Sequence, residues 1–133
     1  IESDRAVQAD PSAVPARLTR ARQWREARQP ALALADADAV LAVDSSNPVA
    51  FAERAHALGI LMRPAEAAAA WTAAEQAGLG DPRLLELAIG HALVRGDFAG
   101  ALRLGQKARA AGLAVQDPLV LAERVLGLRP WNR

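Results

Sequence analysis

Two histidines and a run of arginines are the side chains here best suited to chemistry. Arg17, Arg20, Arg22, Arg25 and Arg28 fall within fewer than four helical turns. Guanidinium groups at that density attract an anion, either an acidic peptide or a charged polymer. The same run has a plainer reading, a solvated helix face paired in part with Glu26 or with a neighbouring acidic helix. Asp36, Asp38 and Asp44 make the following helix acidic, on what reads as an ordinary exposed face. His56 and His91 are the only imidazoles. Two such ligands without cysteine or a convincing carboxylate make a poor metal site, so no metal is expected. Ser3, Ser12, Ser45 and Ser46 lie in the lead-in or in a loop, with no context that would activate them. No His-Glu-x-x-His, glycine-rich phosphate loop or nucleophile elbow occurs. The sequence therefore predicts a protein that is not an enzyme and needs no cofactor.

Composition narrows the partner. Sixteen Lys+Arg against fifteen Asp+Glu leave a net charge of +1, without the basic excess of a dedicated nucleic-acid binder. The one aromatic within the arginine run, Trp24, lies at helical core spacing and reads as a packing residue, so nucleic acid is not an expected partner. Cysteine is absent, which excludes disulfides and thiolate chemistry and leaves bacterial periplasm and cytoplasm both open. No uncharged apolar run approaches the roughly 18–20 residues that span a bilayer, so direct membrane insertion is not expected. The chain starts at Ile1 with no signal-like segment and reads as a fragment of a longer protein or as a processed product. Apolar residues make up 52% and aromatics only 4%, so the core must form by close approach of helices rather than by large side chains.

The elements that position these residues repeat. Ala33, Ala67 and Ala101 coincide at a spacing of 34, as do Ala21, Ala55 and Ile89, then Trp24, Leu58 and Ala92, then Val40, Ala74 and Ala108. Such a period in an alanine-rich chain means one helix pair per unit. Apolar spacing predicts helices over 15–28, 30–43, 48–61, 65–77, 82–94, 98–111 and 118–127. Asn47-Pro48, Asp81-Pro82 and Asp117-Pro118 each pair a capping side chain with proline at the first helical position. Ala77-Gly78-Leu79 and Ala111-Gly112-Leu113 read as glycine-terminated ends with an apolar residue beyond. Residues 1–14, broken by Asp10-Pro11 and Val14-Pro15, read as a lead-in or frayed linker.

The repeated unit resembles a tetratricopeptide repeat. Ala55 and Ala67 match the small residues at the helix crossing, with Phe51, Leu58 and Trp71 as the bulky ones. Gly96-Asp97-Phe98-Ala99-Gly100-Ala101 resembles the turn inside a unit, and Val40-Leu41-Ala42-Val43-Asp44 before Asn47-Pro48 resembles its exit. Ile89, Gly105 and Arg20 depart from the pattern. The resemblance implies an all-α, right-handed solenoid of about three helix hairpins plus a C-terminal helix. The repeat domain is then 15–133, with units near 14–47, 48–81 and 82–117 and a final helix over 118–128. It places Leu18, Arg22, Arg25, Ala52, His56, Gly59, Glu86, Gly90 and Leu93 on a ligand-binding concave face. Arg22 and His56 stand where some members of the family carry groove asparagines, and the matching lysines are absent. The expected partner is a protein or peptide of acidic character, and charge reversal at Arg22 or Arg25 is expected to weaken it without disturbing the fold.

A second resemblance comes from the alanine- and arginine-rich repeats without cysteine. They are similar to the periplasmic repeat segments of bacterial outer-membrane exopolysaccharide exporters, those for cellulose and poly-N-acetylglucosamine among them. That resemblance implies binding of synthesis machinery or guidance of the polymer.

Overall fold

The computed structural model describes residues 2–10, 13–110 and 112. It is all-helical, with α1 (Glu2–Ala9), α2 (Val14–Glu26), α3 (Pro30–Val43), α4 (Pro48–Ile60), α5 (Pro64–Gln76), α6 (Pro82–Arg95) and α7 (Phe98–Ala110). Helices α2 to α7 match the spans expected from apolar spacing to within two residues at each end. The expected final helix, with the Asp117-Pro118 start and Leu113, lies outside the described residues. No helix among those described is long and apolar enough to cross a membrane.

Local signals set these boundaries. Proline occupies the first turn of α2 to α6, where its missing N–H costs nothing. The Asn47 side chain accepts from the Ala50 N–H at 3.0 Å. Asp81 accepts from Arg83 at 2.9 Å and more distantly from Leu84. The turn inside each helix pair closes in one way three times over. Gln29 N donates to Trp24 O at 2.8 Å, Arg63 N to Leu58 O at 2.9 Å and Asp97 N to Ala92 O at 2.8 Å. These bonds are one 34-residue period apart. Each needs a left-handed residue before the donor, supplied by Arg28 (φ 58°), Met62 (φ 63°) and Gly96 (φ 79°). Only the last of the three is the glycine this conformation favours.

The chain divides into two compact units, Ile1–Leu79 and Gly80–Arg133, where the sequence suggests one repeat domain from residue 15. In the first unit α2 packs on α3, α3 on α4 and α4 on α5, with α1 against α2. In the second, α6 packs on α7. The positions that coincide at the 34-residue period are the core. Ala21, Ala55, Ile89, Ala33, Ala67, Ala101, Val40, Ala74, Ala108, Leu58 and Ala92 are all buried, and Trp24 is half-buried. Trp71, read as a packing residue, is buried as well. Methyl groups at the crossings let the helix backbones come close, so contact area comes from proximity rather than side-chain size.

The first ten residues depart from expectation. The segment taken as a lead-in is helical over Glu2–Ala9, Val7 is buried, and Arg20 on α2 reaches Asp4 at 3.3 Å. Tertiary contact outweighs weak local propensity here. The segment also follows the period: Asp4–Arg20 is repeated 34 residues later as Asp38–Arg54. Likewise the Asp10 N–H to Ala6 O bond is repeated as Asp44 to Val40.

Because Arg28 and Met62 hold left-handed backbone without being glycine, Arg28→Gly and Met62→Gly should leave stability unchanged or raise it by up to about 1 kcal/mol. Gly96→Ala should lower it by about 1 kcal/mol. Urea unfolding midpoints measure all three, and a clear loss on Arg28→Gly would show that its side chain, not its backbone, matters to the turn.

Candidate functional site

The arginine run on α2 is largely spent on two buried carboxylates. Asp36 on α3 is 1% exposed. Arg17 donates to its Oδ1 at 3.0 Å, and Arg20 grips it with two bonds, Nε to Oδ2 at 2.8 Å and Nη2 to Oδ1 at 2.7 Å. This fork-to-fork geometry is the strong form of a guanidinium–carboxylate pair. Hydrogen bonding to Asp36 raises the pKa of Arg20 against the opposing effect of burial. Two expectations change as a result. Asp36 is not part of an exposed acidic face, and Arg20, out of place in the repeat pattern, is matched by a carboxylate sixteen residues on. Asp38 keeps the exposed position expected of it and pairs with Arg54.

Glu53 on α4 is the second buried carboxylate, 2% exposed. The Arg25 Nε spans both its oxygens, at 3.2 and 3.0 Å. His56 lies one turn beyond Glu53 on the same helix face. Arg25, Glu53 and His56 line a small open cleft among α2, α3 and α4, with room for about 10 Å³, together with Arg28, Gln29, Pro30, Ala33, Ala57 and Ile60. Burial, and then the nearby Arg25 charge, lower the His56 pKa, so its ring is neutral at neutral pH and offers one N–H donor and one acceptor. The surface that the cleft offers is almost wholly apolar, with the charged side chains around it turned to their own partners or to solvent. Among the described residues no three His, Asp or Glu side chains gather as a metal ion requires.

Of the residues assigned to a ligand face, Arg25 and His56 meet in this cleft. Leu18 is half-buried on α2, and Arg22 is exposed beside Glu26 at 3.9 Å. Gly59 is part-exposed on α4, with open space where a Cβ would stand. Ala52 is fully buried and gives a ligand no surface. Glu86, Gly90 and Leu93 belong to α6 of the second unit, with Glu86 and Gly90 half-buried and Leu93 buried. Leu93 therefore joins Ala52 as core: methyl and isobutyl groups at these positions pack inward. The expectation that Arg25 tolerates charge reversal also fails, because a carboxylate there would face buried Glu53. Sequence reading passed over Glu53 and Gln29, and took Arg28 only as part of the arginine run. The available signal was an acid standing alone among Ala50, Ala52, Ala55 and Ala57. No family model, curated protein or solved structure matches this chain.

Removing one partner of a buried pair strands the other charge, so Arg25→Met and Glu53→Met should each cost about 3 kcal/mol. The double variant should cost less than their sum, and simple additivity in urea unfolding would mean that the pair is uncoupled. The histidines give a pH signature. Burial is the main cause of a lowered pKa at both His56 and His91, with Arg25 and Arg95 adding to it. The unfolded chain therefore takes up protons first as pH falls. Stability from this source is complete above the ordinary value of 6.5 and declines below it. Urea midpoints between about pH 7.5 and 5 should slope accordingly, and His56→Gln with His91→Gln should flatten that slope.

Proposed function

We propose that this chain is a non-catalytic interaction scaffold, a right-handed solenoid of tetratricopeptide-like helix hairpins that binds a peptide or partner domain. The observation that carries the reading is the meeting of Arg25 and His56 in one solvent-open cleft. The Arg25 side chain there is already fixed by Glu53. A pre-formed site loses little entropy on binding, so a few contacts suffice. The recurrence of one turn geometry at Arg28, Met62 and Gly96 supports the repeat architecture. The exopolysaccharide-exporter reading uses the same scaffold and differs in its ligand.

Panning a random-peptide display library on the immobilised chain tests this, with cellulose and N-acetylglucosamine oligomers titrated in parallel. Enriched peptides should share a sequence pattern and bind at about the micromolar level. Ile60→Glu changes an exposed cleft residue and should weaken them without unfolding the chain. Failure to enrich any pattern would sink the scaffold reading, and saturable oligosaccharide binding in its place would transfer the site to polymer handling.

A further inference from the structure

The α6–α7 hairpin carries an exposed apolar and basic surface that its own fold does not use. Resting on the scaffold reading, we propose that this surface docks an acidic amphipathic helix of the partner. Val94, Phe98 and Leu102 would take the partner's apolar side chains, and Arg95 and Arg109 its carboxylates.

The turn builds the apolar half. Val94 is 65%, Phe98 63% and Leu102 50% exposed. Val94 lies in the last turn of α6 and Phe98 opens α7. The tight closure from Asp97 N to Ala92 O joins the two helices there. Phe98, Leu102 and Arg109 stand at i, i+4 and i+11, one stripe along α7. Ala101, Leu104 and Ala108 form the buried side of the same helix, so the stripe is not part of the core. A lone exposed apolar residue is ordinary, whereas three on one hairpin, an aromatic among them, mark a contact surface.

Charge selects the occupant. In the first unit every arginine of α2, and Arg54 and Arg63, has a carboxylate within 3.9 Å. The second unit differs. Arg83, Arg95, Lys107 and Arg109 have no acidic side-chain partner among the described residues. Two carboxylates nearby serve the helix starts instead. Asp81 accepts from the Arg83 and Leu84 N–H groups, and Asp97 from the Gly100 N–H at 2.9 Å.

The surface therefore offers cations without matching anions, beside hydrocarbon. A second copy of this chain, with its net charge of +1, would set like charges against the stripe. Residues 113–133 fit no better, with Asp117 and Glu123 against Arg124, Arg129 and Arg133. Three apolar side chains also bury too little hydrocarbon to anchor a protein to a bilayer. A partner helix satisfies both halves at once, with apolar residues three and four apart and acidic ones flanking them. From Phe98 to Arg109 the stripe runs about 17 Å, roughly three helical turns.

The test is an NMR titration of the full chain with a synthetic helix of leucine, alanine and glutamate, leucine recurring at three- and four-residue steps. Its controls are the same peptide with lysine for glutamate, and a scrambled peptide of equal composition. The glutamate peptide should shift the Phe98 and Leu102 amides saturably, with a dissociation constant of about 100 µM that weakens as salt rises. Leu102→Gln and Phe98→Gln should each weaken it about fivefold. Arg109→Gln should weaken it about threefold and flatten the salt dependence. All three side chains are exposed, so urea midpoints should stay at that of the unsubstituted chain. Equal binding by the lysine or scrambled peptide, or unchanged affinity in Leu102→Gln, would overturn the docking surface. Binding to phosphatidylserine vesicles without binding to the peptide would overturn it too. Should the glutamate peptide fail while library peptides bind elsewhere on the chain, this surface falls and the scaffold stands. A library that yields no peptide sinks the scaffold, and this surface with it.

Discussion

Asp36 and Glu53 are carboxylates held out of water, and α2 supplies three arginines to keep them there. The reason lies in how the helices meet. Alanine at the crossings draws α2, α3 and α4 close, so side chains of neighbouring helices at the seam lose their hydration. A carboxylate in that position persists only if a cation reaches it with good geometry. Arg17, Arg20 and Arg25 do so, each from α2, and this fixes the face that α2 turns toward α3 and α4. Arg28, beyond the end of α2, leaves the residues around the cleft with one positive charge more than negative.

Legibility in the sequence followed the range of the interaction. Caps, proline starts and glycine stops act within a few residues, and they delimited α2 to α7 nearly to the residue. The 34-residue period picked out buried positions because each repeat meets its neighbours in one way. Asp36 escaped notice because nothing local marks it as different from Asp38, two residues away and exposed. Their fates diverge through a 100°-per-residue rotation and through the position of Arg20. Helix α1 escaped because its own sequence is polar. Its order comes from Val7 and Asp4 meeting α2, and the equivalence of Asp4–Arg20 with Asp38–Arg54 is a comparison of pairs rather than of single residues.

The cleft was legible in half. Arg25 and His56 were assigned to a ligand face, whereas Glu53, which holds Arg25 in place, was passed over. A charged residue on such a surface plays two parts, one inward and one outward, and composition does not separate them. Arg22, Arg25 and Arg28 are three arginines spaced three apart with three fates. The first is exposed beside Glu26, the second is locked by Glu53, and the third lies at a left-handed turn.

The Arg25–Glu53 pair also bears on synthesis. Its partners are 28 residues apart, the widest separation among the side-chain bonds described above. Asp36 is joined to Arg17 and Arg20 across 19 and 16 residues. A chain emerging from the ribosome can therefore settle its polar seams in order, each soon after its second partner appears, without waiting for the far end. Asp36 emerges first and binds α3 to α2. Until Glu53 follows, Arg25 stays in water and the third helix wall of the cleft does not exist.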